Sequence, residues 1–353
     1  MFFRESMKYI FLIFFMSFLS SSDMKKVYVY EDGIERHYLI YVPDAYNKDN
    51  KTNIVFGIHG YGGTASGFES ELTGGFNKLA DKYNFIAVYP ESTFFYDKEN
   101  TLITTFNDII RQTTYEEISN NCLTDDKRLI YPKFPNCDRG RCGWAPCVDD
   151  TKFIKNLIDK LKIEFNVKDV YLIGNSTGGM FVNSYVCKYP KSIKTAISVN
   201  GLPRDGFACV PDVPVNFISY ASLNDETIPP IEKIAFDGLF YENQSNFIDK
   251  WTNKFNCKNL KEVTFKHYEE FEEKTYSDCS DDIKIMSILN LDSDHMWPEA
   301  GFNKDTGISS YTNFGSCVGD IQSDLNAPKC YRSNDRWGSE YILEKLFSLD
   351  HSH

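Results

Sequence analysis

Six short runs of mostly β-branched and aromatic residues, "NIVFGI", "FIAVY", "DVYLIG", "AISVN", "VNFISYA" and "IKIMSIL", recur along the chain, each closed by turn residues or a loop. Uninterrupted apolar runs of this length fit strands buried on both faces. Helical patterns lie between them. In "DDTKFIKNLIDKLKIEF", Phe153, Ile154, Leu157, Ile158 and Leu161 form one apolar stripe, with Asp149 or Asp150 placed to cap its start. "GGMFVNSYVCKYP" predicts a helix stopped near Pro190, and "DRWGSEYILEKLF" a closing amphipathic helix. Upstream, "KVYVYE" and "RHYLIYV" alternate around "DGIE" as a hairpin. Alternating strand and helix builds an α/β domain, a mostly parallel sheet covered by helices on both faces. Its ligands bind beyond the C-terminal strand ends.

No internal repeat, long linker or low-complexity tract divides the chain, so residues 23–353 are expected to form one domain. Two long segments interrupt the alternation, at about 91–147 and 299–332, and both leave the sheet at the edge where a site belongs. They hold six of the ten cysteines and are expected to roof the cleft as stapled insertions.

Residues 1–22 have another character. Lys8 precedes an apolar run from Tyr9 to Leu19 that ends in small residues, the layout of a cleaved secretory signal. The run is too short to span a bilayer comfortably, so no stable membrane insertion is expected once the signal is removed. The destination is then extracellular, or a digestive vacuole. An even count of ten cysteines behind such a signal implies disulfides. A metal is not expected, because the Cys137, Cys142 and Cys147 cluster lacks a CxxC pair and a neighbouring histidine. A net charge of −12 argues against nucleic acid or an anionic membrane as partner. Asn50-Lys51-Thr52 and Asn243-Gln244-Ser245 are candidate glycosylation sequons; Asn175-Ser176-Thr177 also matches, but a turn packed on a sheet shields it.

The chemistry centres on Gly174-Asn175-Ser176-Thr177-Gly178. The pentapeptide alone is a weak signal. Placed after "VYLI" and before a helix, it has the strand–turn–helix setting of a nucleophile elbow, which projects the Ser176 hydroxyl and aims the Thr177 N–H at a developing oxyanion. A serine hydroxyl needs a base. His37 and His267 lie in strand patterns and His351 and His353 in a polar tail, whereas His295 follows the last buried run, in "DSDHMWP". The orienting acid is expected in "YASLNDETIPP", as Asp225, with Glu226, Asp292 and Asp294 as weaker rivals. "HGYGG" after "IVFGI" has the form of an oxyanion loop in which the Tyr61 N–H is the second donor. A P-loop is excluded by the absence of a lysine after the glycines.

Together, "YLIYVPDAY", "HGYGG", "CGWAPCVDDTKFI", "GNSTGGM", "LNDETIPP", "WTNKFNC" and "HMWP", in this order from about Arg36 to Pro298, resemble the secreted poly(3-hydroxybutyrate) depolymerase and feruloyl esterase family of α/β-hydrolases. The resemblance implies the α/β-hydrolase fold and ester hydrolysis through Ser176, Asp225 and His295, with Tyr61 in the oxyanion loop. It also implies a Cys257–Cys279 disulfide. The chain departs from the family at Tyr61, where a cysteine is often found, and in an acid loop longer by one residue.

The expectation is a secreted serine carboxylic ester hydrolase without metal or cofactor, acting on small or oligomeric esters of feruloyl or hydroxyalkanoate type. The alternatives are a serine peptidase of the same fold and an inactive binding protein. His59, Trp144 and Trp297 are expected to line the substrate pocket, with Phe94, Phe95, Tyr96, Tyr311 and Phe314 as further aromatic candidates. Oligomeric state has no signature in the sequence.

Overall fold

A computed structural model describes residues 24–69, 76–96, 102–108, 148–267, 269–298 and 337–349. The expected signal segment, Trp144, Tyr311, Phe314, most of the first insertion, all of the second and their six cysteines lie outside the described residues.

All six buried runs form strands: β3 (Thr52–Ile58), β4 (Phe85–Pro90), β7 (Val167–Asn175), β8 (Thr195–Val199), β9 (Asn216–Ser222) and β12 (Ile285–Asn290). They pair in parallel in the order β4-β3-β7-β8-β9-β12. An antiparallel hairpin extends each side. β1 (Lys25–Glu31) and β2 (Ile34–Tyr41) join β4, with Asp32 and Gly33 at positive φ (50° and 81°) in the two-residue turn. β10 (Asn259–Lys266) and β11 (Glu270–Ser277) join β12, completing a ten-stranded sheet. β5 (Thr93–Tyr96) and β6 (Leu102–Thr105), inside the first expected insertion, form a separate pair.

Alternation along the strands feeds two cores. Ile54, Phe56, Leu172, Phe217 and Ala221 face one side with helices α2 (Asp150–Glu164), α3 (Thr177–Lys188) and α4 (Gln244–Lys254). Val55, Tyr171, Ile173, Ile218 and Tyr220 face the other with α1 (Phe76–Tyr83) and α5 (Trp337–Ser348). The expected stripe of α2 is buried throughout, and Asp149 is its cap, its carboxylate accepting the Lys152 N–H at 3.0 Å. Asp150 is drawn inward instead, where it pairs with Arg36.

Two disulfides close on this frame. Cys187–Cys209 ties the end of α3 to the loop after β8, and Cys257–Cys279 ties the end of α4 to the end of β11. Among the described residues no helix is long and apolar enough to cross a membrane.

Candidate active site

The chain runs from β3 outward to β4 and returns to place β7 on the other flank of β3, so the crevice opens between β3 and β7. The loop after β3 and the turn after β7 meet there. Ser176 sits between β7 and α3 at φ 56°, ψ −126°, a region that L-residues rarely occupy. The flanking glycines are required by contact. A Cβ on Gly174 would lie 2.1 Å from the Gly178 carbonyl oxygen, and one on Gly178 2.3 Å from that of Ile58. Only a backbone without side chains lets the start of α3 pass this close to β3. The Ser176 N–H is tied to the Val199 carbonyl at 2.8 Å, which sets the turn against β8.

Three residues from three strand ends converge. Ser176 Oγ lies 2.8 Å from His295 Nε2, and His295 Nδ1 lies 2.6 Å from Asp225 Oδ2. The other oxygen, Oδ1, accepts the Thr227 and Ile228 N–H groups, each at 2.8 Å. A carboxylate held this way can only accept from the imidazole, so Nδ1 carries the proton and Nε2 presents its lone pair to the Ser176 hydroxyl. Asp225 is buried at 2% exposure, while the His295 side chain keeps 23%. Two of the rival acids are engaged elsewhere: Glu226 is mostly exposed and pairs with Lys233, and Asp292 accepts the Glu270 N–H.

Sequence reasoning did not single out the residues that hold these loops together. Asn224 Nδ2 donates to the Leu291 and Asp292 carbonyls, lacing the acid loop to the histidine loop. Asn200, at φ 45° after β8, donates to the Met296 carbonyl at 2.6 Å and accepts from Ser222 Oγ. Its only sequence signal is an asparagine at a strand end, a residue type that tolerates this backbone region.

The Gly60 backbone presses on the elbow: a Cβ there would meet Ser176 Cβ at 3.0 Å. The next residue, Tyr61, is 45% exposed, and Thr177 opens α3, where a helix leaves its first amides without intrahelical acceptors. Thr104 holds the glycine loop from outside, accepting the Gly62 N–H at 2.8 Å and donating its hydroxyl to the Gly63 carbonyl at 2.7 Å. Thr104 through Asp108 are buried, so this part of the first insertion is wall rather than roof.

Two pocket expectations are corrected. His59 is only 2% exposed; Nδ1 donates to the Gly60 carbonyl at 2.9 Å and Nε2 meets the Ser92 N–H at 3.2 Å. It braces the loop from beneath and does not line a cleft, because β3 delivers its ring to the interior beside Phe106. Trp297 is fully buried, edge-on to Phe68, with its indole N–H donated to Ser339. Burial of the large apolar ring under α5 wins over exposure beside His295.

A family profile described as "alpha/beta hydrolase fold" matches residues 112–271. A probable acetylxylan esterase A of Aspergillus fumigatus is 26% identical over 171 residues, which cover 48% of this chain and 35% of that protein. The match thus spans about a third of the relative's length. Among solved structures, an acetyl xylan esterase from Aspergillus awamori superposes with TM-score 0.49 at 16% identity, covering 84% of this chain and 99% of that one. A thermostable esterase superposes with TM-score 0.40 at 15% identity, covering 66% and 52%. The chain has the α/β-hydrolase fold, with a mostly parallel sheet and helices on both faces, and two disulfides among the described residues.

Proposed function

We propose that the protein is a secreted serine carboxylic ester hydrolase working through an acyl-enzyme. The observation that carries this reading is the line from the Ser176 hydroxyl through His295 to the buried Asp225, with Ser176 raised on a strained strand–helix turn. Ser176 Oγ attacks the ester carbonyl carbon as Nε2 of His295 takes its proton. Asp225 stabilises the imidazolium that forms. The Tyr61 and Thr177 amides hold the oxyanion, a contribution on the order of 10²–10³ in kcat per donor. His295 returns the proton to the leaving alcohol, and water then releases the acyl group by the same route. No metal or cofactor takes part in these steps.

The name of the similar probable acetylxylan esterase supports an acetyl ester of xylan as substrate, and a hydroxycinnamoyl ester is a second candidate within this reading. A short hydroxyalkanoate ester is a third. The two disulfides support an oxidising destination outside the cell or in a digestive vacuole.

A fluorophosphonate probe should label Ser176 in folded protein and fail on Ser176→Ala. With that variant as blank, kcat/KM on an acetylated xylo-oligomer, methyl ferulate and a 3-hydroxybutyrate trimer ranks the substrates. An unlabelled Ser176 in folded protein would end the enzyme reading.

A further inference from the structure

Beneath the glycine loop lies a buried carboxylate that the proposed mechanism does not use. Glu91 follows β4 and is 5% exposed. Its Oε2 accepts the Ala65 N–H at 3.0 Å, while its Oε1 lies 3.1 Å from His59 Nε2 without a hydrogen bond among the described residues; His59 Nε2 accepts the N–H of the next residue, Ser92, at 3.2 Å. His59 enters the loop and Ala65, the first residue of the single helical turn Ala65–Gly67, leaves it. Glu91 and Ser92 together therefore hold both stems of residues 60–64, the carboxylate at Ala65 and the Ser92 N–H at His59.

The carboxylate is itself fixed from behind. The Glu91 N–H donates to the His37 carbonyl at 3.0 Å, and the Glu91 carbonyl accepts from Arg36 at 2.9 Å. Arg36 in turn pairs with Asp150 at the start of α2 and lies over the Phe153 ring. The ionisable side chains around Glu91 are His59 from the end of β3 and His37 and Arg36 from β2, with His37 Nε2 3.7 Å from Oε2. Burial pushes His37 down to about 4, so near neutral pH it places no charge against the carboxylate. Among the described residues no group of three or more His, Cys, Asp and Glu is placed to hold a metal ion.

What the clamp controls follows from the contacts above it. His59 Nδ1 donates to the Gly60 carbonyl, and the Gly60 backbone runs so close to the Ser176 turn that a Cβ added there would meet Ser176 Cβ at 3.0 Å. A tilt of the imidazole would shift Gly60 and, with it, the Tyr61 amide. We infer that Glu91 is a positioning residue for the oxyanion loop, setting its height over Ser176 by holding the Ala65 stem while the adjacent Ser92 N–H holds His59. The inference rests on the proposed hydrolase reading and adds to it a residue that never touches substrate.

Reach is what matters in this arrangement. Glutamine keeps it: the amide oxygen accepts from Ala65, and the NH₂ takes the place of Oε1. Aspartate keeps the charge but is one methylene too short to reach the Ala65 N–H from the same backbone position. The experiment measures kcat and KM on p-nitrophenyl acetate, and Tm, for Glu91→Gln, Glu91→Asp and Glu91→Ala. Glu91→Gln should keep kcat within about threefold, while the Asp and Ala variants lose roughly 10- to 100-fold in kcat with KM changed less than about threefold, because the loop acts on the transition state. Folded Asp and Ala variants with kcat within about twofold of wild type would overturn the inference, and so would a Gln variant as slow as the Asp variant. If Glu91→Ala does not fold, the Gln and Asp pair decides on the same criteria. Ser176→Ala is run alongside: activity in that variant would refute the hydrolase reading itself, whereas an inert blank beside unaffected Glu91 variants refutes the positioning role alone.

Discussion

Replacing Asp225 by asparagine changes one atom, and the structure says what that atom does. In the wild type, Oδ1 accepts two backbone N–H groups and Oδ2 accepts from His295. An asparagine amide has one acceptor to offer. With its oxygen toward Thr227 and Ile228, its NH₂ faces His295 Nδ1 and makes that nitrogen an acceptor. The imidazole proton then sits on Nε2, pointing at Ser176, and the base is lost. The opposite flip restores the tautomer but sets NH₂ against two buried donors, at about 1–3 kcal/mol each. The sum, roughly 2–6 kcal/mol, leaves the competent arrangement about 30- to 10⁴-fold less populated. Asp225→Asn should therefore lower kcat by about 30- to 10⁴-fold at nearly unchanged KM, since Asp225 makes no substrate contact in the mechanism. Steady-state hydrolysis of p-nitrophenyl acetate measures this, and fluorophosphonate labelling of Ser176 should slow in proportion. A folded Asn variant within tenfold of wild type on both assays would refute the tautomer argument.

Other perturbations test the frame around the site. In Gly178→Ala the new methyl would lie 2.3 Å from the Ile58 oxygen against an ordinary C···O contact of about 3.3 Å, so α3 must retreat by about 1 Å; kcat should fall near 100-fold and Tm should drop. Trp297→Phe removes core volume and the bond to Ser339, and urea unfolding should show a loss of about 1–3 kcal/mol while the ratio of kcat/KM between methyl ferulate and p-nitrophenyl acetate stays the same. His37 is held at about 4 against an ordinary 6.5, so the unfolded chain binds its proton first. Its stabilising effect is then complete above pH 6.5 and declines as pH falls toward 4; with the partial exposure of the ring this is about 1–2 kcal/mol, and His37→Gln should flatten that part of the urea-midpoint profile. The double replacement Cys187→Ser with Cys209→Ser reopens a 22-residue separation and should cost about 3 kcal/mol by the same assay.

The parallel block was legible because burial on both faces leaves a continuous apolar run, and all six such runs are strands. The β10–β11 hairpin was much harder to read. "NLKEVTFK" is exposed at seven of its eight positions and "EFEEKTYS" carries three acids, so no apolar run marks either strand; pairing to β12 holds them. The same contrast holds at the site. Ser176, Asp225 and His295 each follow a strand and stand in loops whose composition points to them. Glu91, Thr104 and Asn200 act on partners 26 to 96 positions away, and nothing local announces them. His59 and Trp297 misled for a related reason. Their neighbours in sequence are site residues, but their side chains follow the pleat and the core.

The backbone of Ser176 has a consequence for how such a molecule could change over time. A non-glycine residue at φ 56°, ψ −126° carries a penalty of about 1–3 kcal/mol, and glycine at that position would be free of it. The hydroxyl that the proposed chemistry needs thus occupies the position where the fold alone would rather have no side chain. Screening a library only for heat resistance should enrich glycine at 176 in dead but sturdier proteins. Retention of serine there is then a record of selection acting on turnover against selection for endurance.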